Sequence, residues 1–90
     1  MFVDVSAIDN ATGEAVKSLR KSMQLSQTDL AKKCGVSFQQ IQKYEAGVNR
    51  ISMSRLFLIA SALDLPPYLL VRGIEGRLEN DRKHGGKNGQ

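Results

Sequence analysis

The chain of 90 residues has one cysteine, one histidine and only two prolines, and each scarcity closes off a class of protein. A lone Cys34 cannot make an internal disulfide, and it has no companion at metal-ligand spacing. It falls at the end of an apolar-periodic stretch, where a small thiol serves as core filler. The single histidine, His84, lies in a glycine-rich tail with no companion ligand and reads as solvent-exposed. Paired carboxylates, a Ser/His/Asp set and a phosphate-binding glycine loop are all missing, so no enzyme, no metal site and no cofactor is expected. No apolar run approaches the ~20 residues that a membrane span needs. Residues 1–10 lack the basic and hydrophobic segments of a secretory signal, so the expected location is cytoplasmic, associated with the nucleoid. Ninety residues suffice for one domain with a modest core. With no room for a separate ligand-sensing domain, any inducing signal is expected to act through another protein, oligomerisation or abundance.

What the chain does have is an uneven distribution of charge. The formal net charge is +4. Residues 1–10 carry only Asp4 and Asp9, whereas residues 11–50 hold seven Lys/Arg against three Asp/Glu. The positive excess therefore sits on one segment, where it suits duplex phosphate better than an acidic protein partner.

That segment contains a distinctive run, Ser26 to Glu45. Ser26 with Asp29, and Ser37 with Gln40, each have the spacing of a helix-capping box, a Ser N-cap with a reciprocating side chain three residues on. Two helix starts so close together leave room for only about two turns between them. Gly35 stands where the first of these helices must stop, and glycine tolerates the left-handed backbone that such a stop usually takes. Leu30, Ala31, Val36, Ile41 and Tyr44 are the inward residues, with Ala31 small enough to let two helices cross closely. Gln39, Gln40, Gln42 and Lys43 make an outer face that is amide-rich and uncharged to basic. Helix, glycine turn and polar-faced helix are the layout of a helix-turn-helix, whose second helix enters the DNA major groove.

The flanks complete an all-α fold. A first helix is expected from about Asn10–Thr12 to Gln24, with Val16, Leu19 and Met23 inward and Gly13 weakening its start. Gly47 to Arg50 form a loop. Ser52 caps a fourth helix with an inward stripe of Leu56, Ile59, Ala60 and Leu63. Pro66-Pro67 ends that helix and starts a short fifth, Pro67–Arg72, which stops at Gly73. The expected organisation is an N-terminal arm over 1–10, a DNA-binding domain over 11–73 and a polar tail over 74–90. Five of the eight glycines fall from Gly73 onward, and the tail is expected to be partly helical and then disordered from His84.

The residues Ser26-Gln27, Leu30-Ala31, Gly35-Val36-Ser37, Ile41, Tyr44-Glu45, Gly47, Ile59-Ala60 and Leu63 resemble the Xre family, the phage Cro/cI repressor-like helix-turn-helix regulators. The likeness runs from about Val16 to Gly73. It implies a compact five-helix, lambda-repressor-like domain with the helix-turn-helix at helices 2 and 3. It also implies base-edge roles for Phe38, Gln39, Gln42 and Lys43. Glutamine can pair two-fold with adenine, lysine can donate to guanine, and phenylalanine can meet a thymine methyl. Phe38 departs from the polar residue many relatives carry, and packing against Tyr44 or a neighbouring helix is its alternative. Gln27 matches a position that meets the phosphate backbone, with Asn49 and Arg50 next. Ser37 opens the recognition helix, and Gln40 is expected to be occupied in capping it. Arg20 and Glu45 match positions that pair between the first and third helices.

The resemblance further implies double-stranded DNA as partner and a homodimer on an inverted repeat. Tyr68, Leu69, Leu70 and Val71 are the candidate dimer surface, supplemented by Phe2, Val3 and Val5; their alternative is to complete the monomer core. The expected function is a sequence-specific transcriptional regulator, most simply a repressor. The competing expectations are an antitoxin that also binds a toxin protein and represses its own operon, and a protein-interaction module without DNA binding.

Overall fold

The computed structural model describes residues 4–88, with side chains described as far as Asn80. Five helices make up the fold: α1 Val5–Ser22, α2 Gln27–Cys34, α3 Phe38–Glu45, α4 Met53–Ala62 and α5 Pro67–Asn88. The described residues contain no strand. Each of the first four helices opens on a side-chain cap. Asp4 Oδ1 accepts from the Ser6 and Ala7 N–H groups at 3.0 and 3.4 Å, and Ser26, Ser37 and Ser52 accept from the third residue of their helices. Only at Ser26 is the box reciprocal, with Asp29 accepting from the Ser26 N–H at 3.0 Å. At Ser37 the return bond from Gln40 is not made among the described residues, which corrects the expectation that its side chain is occupied in the cap.

The core is built by these helices on one another. Ala11, Ala15 and Val16 of α1, Leu30 and Ala31 of α2, Ile41 and Tyr44 of α3, Leu56, Ile59, Ala60 and Leu63 around α4, and Leu70 and Ile74 of α5 are all buried. Burying a Leu or Ile fully contributes about 1.5–3 kcal/mol each, so this cluster drives the fold. Met23, expected inward, is 45% exposed because α1 has already ended and Met23 caps it.

Two boundaries differ from expectation. Helix α1 begins at Val5, five residues early, because Asp4 rather than a residue near Asn10 supplies the cap. Helix α5 does not stop at Gly73. That glycine is half-buried where α5 crosses α1, with Ala15 opposite, and Ile74 and Leu78 carry the apolar stripe onward. Arg77 reinforces the crossing, 4.0 Å from Glu14. The helical backbone then runs to Asn88, through residues expected to be disordered. Phe2 and Val3 of the expected arm lie outside the described residues.

Candidate nucleic-acid interface

The turn between α2 and α3 is set by one glycine. Gly35 has φ 70° and ψ 30°, and its N–H reaches back to the Ala31 and Lys32 carbonyls. A side chain there would strain the left-handed backbone. Val36 N–H also donates to Ala31 O at 3.1 Å, so the chain reverses tightly and delivers Ser37 as the next cap.

Helix α3 then divides into two faces. Ile41, Tyr44 and Glu45, at helical spacing, are buried. Phe38, Gln39, Gln42 and Lys43 are exposed along the opposite arc, while Gln40 is half-buried at its edge. Among the described residues, Gln39, Gln42 and Lys43 spend no side-chain donor or acceptor inside the protein. Phe38 is 40% exposed, an apolar ring standing at the first turn.

A buried polar network holds this helix in place. Arg20 Nε donates to Glu45 Oε2 at 2.7 Å and Nη2 to Oε1 at 3.1 Å, while Nη1 donates to the Leu25 carbonyl at 2.7 Å. Gln27 Nε2 also donates to Glu45 Oε1, at 2.9 Å. One guanidinium thus joins α1, the α1–α2 turn and α3, and one carboxylate joins α1, α2 and α3. No described buried side-chain polar atom is left without a partner, the condition under which such a network stabilises rather than costs. Gln27, expected on the phosphate backbone, commits one amide N–H to this network and keeps the other.

Close backbone approach supplies the second constraint. Gly13, inside α1, faces the end of α3. A Cβ there would collide with the Tyr44 carbonyl and lie 2.6 Å from the Glu45 carbonyl oxygen. Gly47, at φ 75°, is in contact with Asn10 of α1. The loop after α3 also caps that helix: Val48 and Asn49 N–H groups donate to the Lys43 carbonyl at 3.0 and 3.3 Å.

Arg50 is placed differently from expectation. Its Nε donates to Asp9 Oδ1 at 3.1 Å and its Nη2 to Oδ2 at 3.2 Å. The Asp9 carboxylate beside it raises the Arg50 guanidinium above its already high ordinary value. Asp9 was missed in the sequence because residues 1–10 have no clear period there. The signal available was Asp4 as a helix cap, which turns the segment into helix and brings Asp9 onto it.

The surrounding cations Lys17, Lys21, Lys32 and Lys33 are all exposed. Of the expected dimer residues, Tyr68 and Val71 are exposed at 67% and 44%, and Leu69 is half-buried. Leu70 is fully buried in the monomer core and is not available to a partner, which corrects its assignment. Sequence reasoning missed Phe57, which is 54% exposed and lines an open cleft of about 420 Å³ with Ser61, Asp64, Leu65, Pro66 and Pro67. No group of acidic, His or Cys residues among those described could hold a metal ion. Among the described residues, no single helix is long and apolar enough to cross a membrane.

Known proteins resemble the chain in sequence and in fold. Residues 16–70 match the helix-turn-helix family model. An uncharacterized transcriptional regulator in the ATPase CF(0) region of Rhodospirillum rubrum is 54% identical over 59 residues, 66% of this chain and 55% of that protein. An uncharacterized regulator of the same type from Rickettsia prowazekii is 44% identical over 71 residues, 79% of this chain and 55% of the relative. The chain thus spans about half the length of the curated relatives it matches. Among solved structures, the restriction-modification controller protein C.AhdI from Aeromonas hydrophila superposes with a TM-score of 0.66 at 30% identity, over 68% of this chain and 92% of that one. The clp gene regulator ClgR from Corynebacterium glutamicum shares the fold with a TM-score of 0.86 at 20% identity, over 90% and 86% of the two chains. With its glycine turn, capped recognition helix and matched residues 16–70, the chain belongs to the helix-turn-helix family, a DNA-binding rather than an enzymatic class.

Proposed function

We propose that the chain is a sequence-specific regulator of transcription that binds double-stranded DNA, a repressor acting as a two-fold dimer on an inverted repeat in the cytoplasm. The observation that carries this reading is the outer arc of α3. Its two amides and one ammonium are unpartnered among the described residues, while Gln27, the same residue type one helix earlier, commits one amide N–H to Glu45. Gln39 and Gln42 each offer the donor and acceptor that match adenine N7 and N6, and Lys43 offers a donor to guanine. Phe38 stands beside them with an apolar surface suited to a thymine methyl. Gln27's second N–H, the loop at Asn49 and Arg50 and the exposed lysines supply phosphate contacts, which set register without reading sequence.

A single α3 reads only three or four bases, too few for selectivity in a genome. Two copies with recognition helices one turn of DNA apart, ~34 Å, double the site. Tyr68 and Val71 lie three residues apart on one face of α5, both exposed, and form the apolar patch proposed to meet its equivalent. Relatives named as transcriptional regulators support the reading.

Selection of bound duplexes from a random pool tests it. Recovery of a palindromic consensus is expected, with Gln39→Ala relaxing preference at one or two positions of each half-site by about 1–3 kcal/mol. A pool that emerges without consensus, or a monomer by sedimentation on the selected duplex, would reject specific binding or the dimer respectively.

A further inference from the structure

We infer that Asp9 is a positioning residue for DNA binding, holding the Arg50 guanidinium ready for a phosphate. This rests on the proposed phosphate contact of Arg50. Three contacts stitch the first half of α1 along the end of α3 and its loop: Gly13 under the Tyr44 and Glu45 carbonyls, Asn10 against Gly47, and Asp9 on Arg50. The first is a close backbone approach and the second sets the Asn10 side chain and Cα against Gly47, and together they fix where Asp9 stands. The third is lopsided. The Asp9 side chain is 18% exposed and the Arg50 side chain 68% exposed, so the carboxylate lies beneath and the guanidinium above it.

Arg50 meets the carboxylate through Nε and Nη2 only. The guanidinium has five N–H donors in a rigid fork. Both protons of Nη1 therefore remain unspent on the edge turned away from Asp9. A planar cation gripped along one edge keeps its charge and presents the other edge, which a lysine at the same place could not do. An exposed ion pair of this kind adds little to folding stability, so its consequence is sought in binding. A long arginine side chain loses rotamer freedom when it takes hold of a phosphate. With Asp9 in place, that loss is met on folding instead of on association.

The carboxylate also places a negative charge near the duplex. Its effect on affinity should therefore depend on whether Arg50 is there to exploit it. The test is a double-mutant cycle, read by fluorescence anisotropy across a salt series on a duplex selected by the unaltered chain. With Arg50 present, Asp9→Asn should weaken binding about two- to tenfold, the ordering of one rotamer-rich side chain. Asp9→Glu should recover part of the loss. Asp9→Asn should keep the salt slope, because the phosphate contact is still made, while Arg50→Ala should lower it by about one. In the Arg50→Ala background, Asp9→Asn should be neutral or should tighten binding.

Equal weakening in both backgrounds would assign Asp9 a merely structural role and overturn the inference. Tighter binding by Asp9→Asn with Arg50 intact would overturn it too, showing a carboxylate that competes with DNA. If Arg50→Ala changes neither affinity nor slope, the phosphate contact itself fails and the inference with it, while base reading by Gln39 stands. Thermal melts within a few degrees of the unaltered chain confirm that each variant is folded.

Discussion

Arg20 and Glu45, twenty-five residues apart, face each other fork to fork between α1 and α3, with side chains only 8% and 3% exposed. The pair fixes the rotation of the recognition helix: if α3 turned about its axis, Glu45 would leave the guanidinium and Gln39 would leave the outer arc. Removing one partner strands the other. Arg20→Ala leaves Glu45 with only the Gln27 amide, and Glu45→Ala leaves Arg20 with only the Leu25 carbonyl. Each single change should cost about 3–5 kcal/mol in urea unfolding. The double replacement should cost clearly less than the two added together, as expected when a stranded charge is the main penalty. Additive losses would show that the pair is not coupled.

Gly13 should tolerate no side chain. In an exposed helix, alanine in place of glycine gains about 0.5–1 kcal/mol. Here the added methyl meets the carbonyls of Tyr44 and Glu45, which are backbone atoms and cannot swing aside. Gly13→Ala should therefore destabilise the chain by about 1–3 kcal/mol, against its helix propensity. It should also weaken DNA binding more than the stability loss explains, because α3 must move. An increased melting temperature would show that α1 and α3 do not pack this closely.

Gly13 also shows which parts of the molecule are legible in a sequence. Local rules acting over three or four residues revealed α2, Gly35, α3 and the α4 stripe correctly, because capping boxes and apolar spacing are short-range signals. The same rules read Gly13 as a weak helix start. Its reason for being glycine lies about thirty residues away, in the end of α3, and nothing near it in sequence reports that contact. The same rules make Gly73 a stop, whereas it sits at the crossing with Ala15. Asp9 and Leu70 were placed by tertiary contacts in the same way: one on Arg50, the other in the core. The Arg20–Glu45 pair is equally long-range, and it was anticipated only because family resemblance supplied it.

Leu70 and Tyr68 should separate folding from self-association. Leu70 is fully buried, and Leu70→Ala should cost about 2–5 kcal/mol in unfolding. Tyr68, 67% exposed, should have little effect on monomer stability when changed to Ala. Its loss should appear instead as a raised dimer dissociation constant by sedimentation equilibrium and as lower affinity for the two-half-site duplex. Unchanged self-association on Tyr68→Ala together with Val71→Ala would move the proposed dimer surface elsewhere.

Asp29 contributes to the acid limb of stability. Hydrogen bonds from the Ser26 N–H and hydroxyl hold its carboxyl below the ordinary 3.8, with smaller help from Lys32 and Lys33. A carboxyl with a lower value in the folded chain favours folding at all pH above 3.8, and that contribution is lost as pH falls through the folded value. Asp29→Asn should therefore lower stability at neutral pH and flatten the decline in melting temperature below 3.8. Parallel curves for the two proteins would show that the capping box is not formed in solution.

Cys34 contributes at the opposite end of the pH scale. Burial pushes its thiol above the ordinary 9.0, outweighing the attraction of nearby Arg55 for a thiolate. The folded chain then holds the proton more tightly than the unfolded chain. Its contribution is complete below 9.0 and fades as pH rises through the folded value, where the unfolded chain has already ionised. Cys34→Ala removes this dependence, so the stability gap between the two proteins should narrow above 9.0 and stay constant at neutral pH. Alkylation gives an independent reading. A thiol that is 7% exposed and protonated is a poor nucleophile, so iodoacetamide should label the native chain far more slowly than the urea-unfolded one. Duplex DNA should leave the native labelling rate unchanged, because Cys34 ends α2 on its buried side, away from the outer arc of α3. Rapid native labelling at neutral pH would mean that the α2–α4 packing opens readily, and the rigid frame behind the recognition helix would be lost with it.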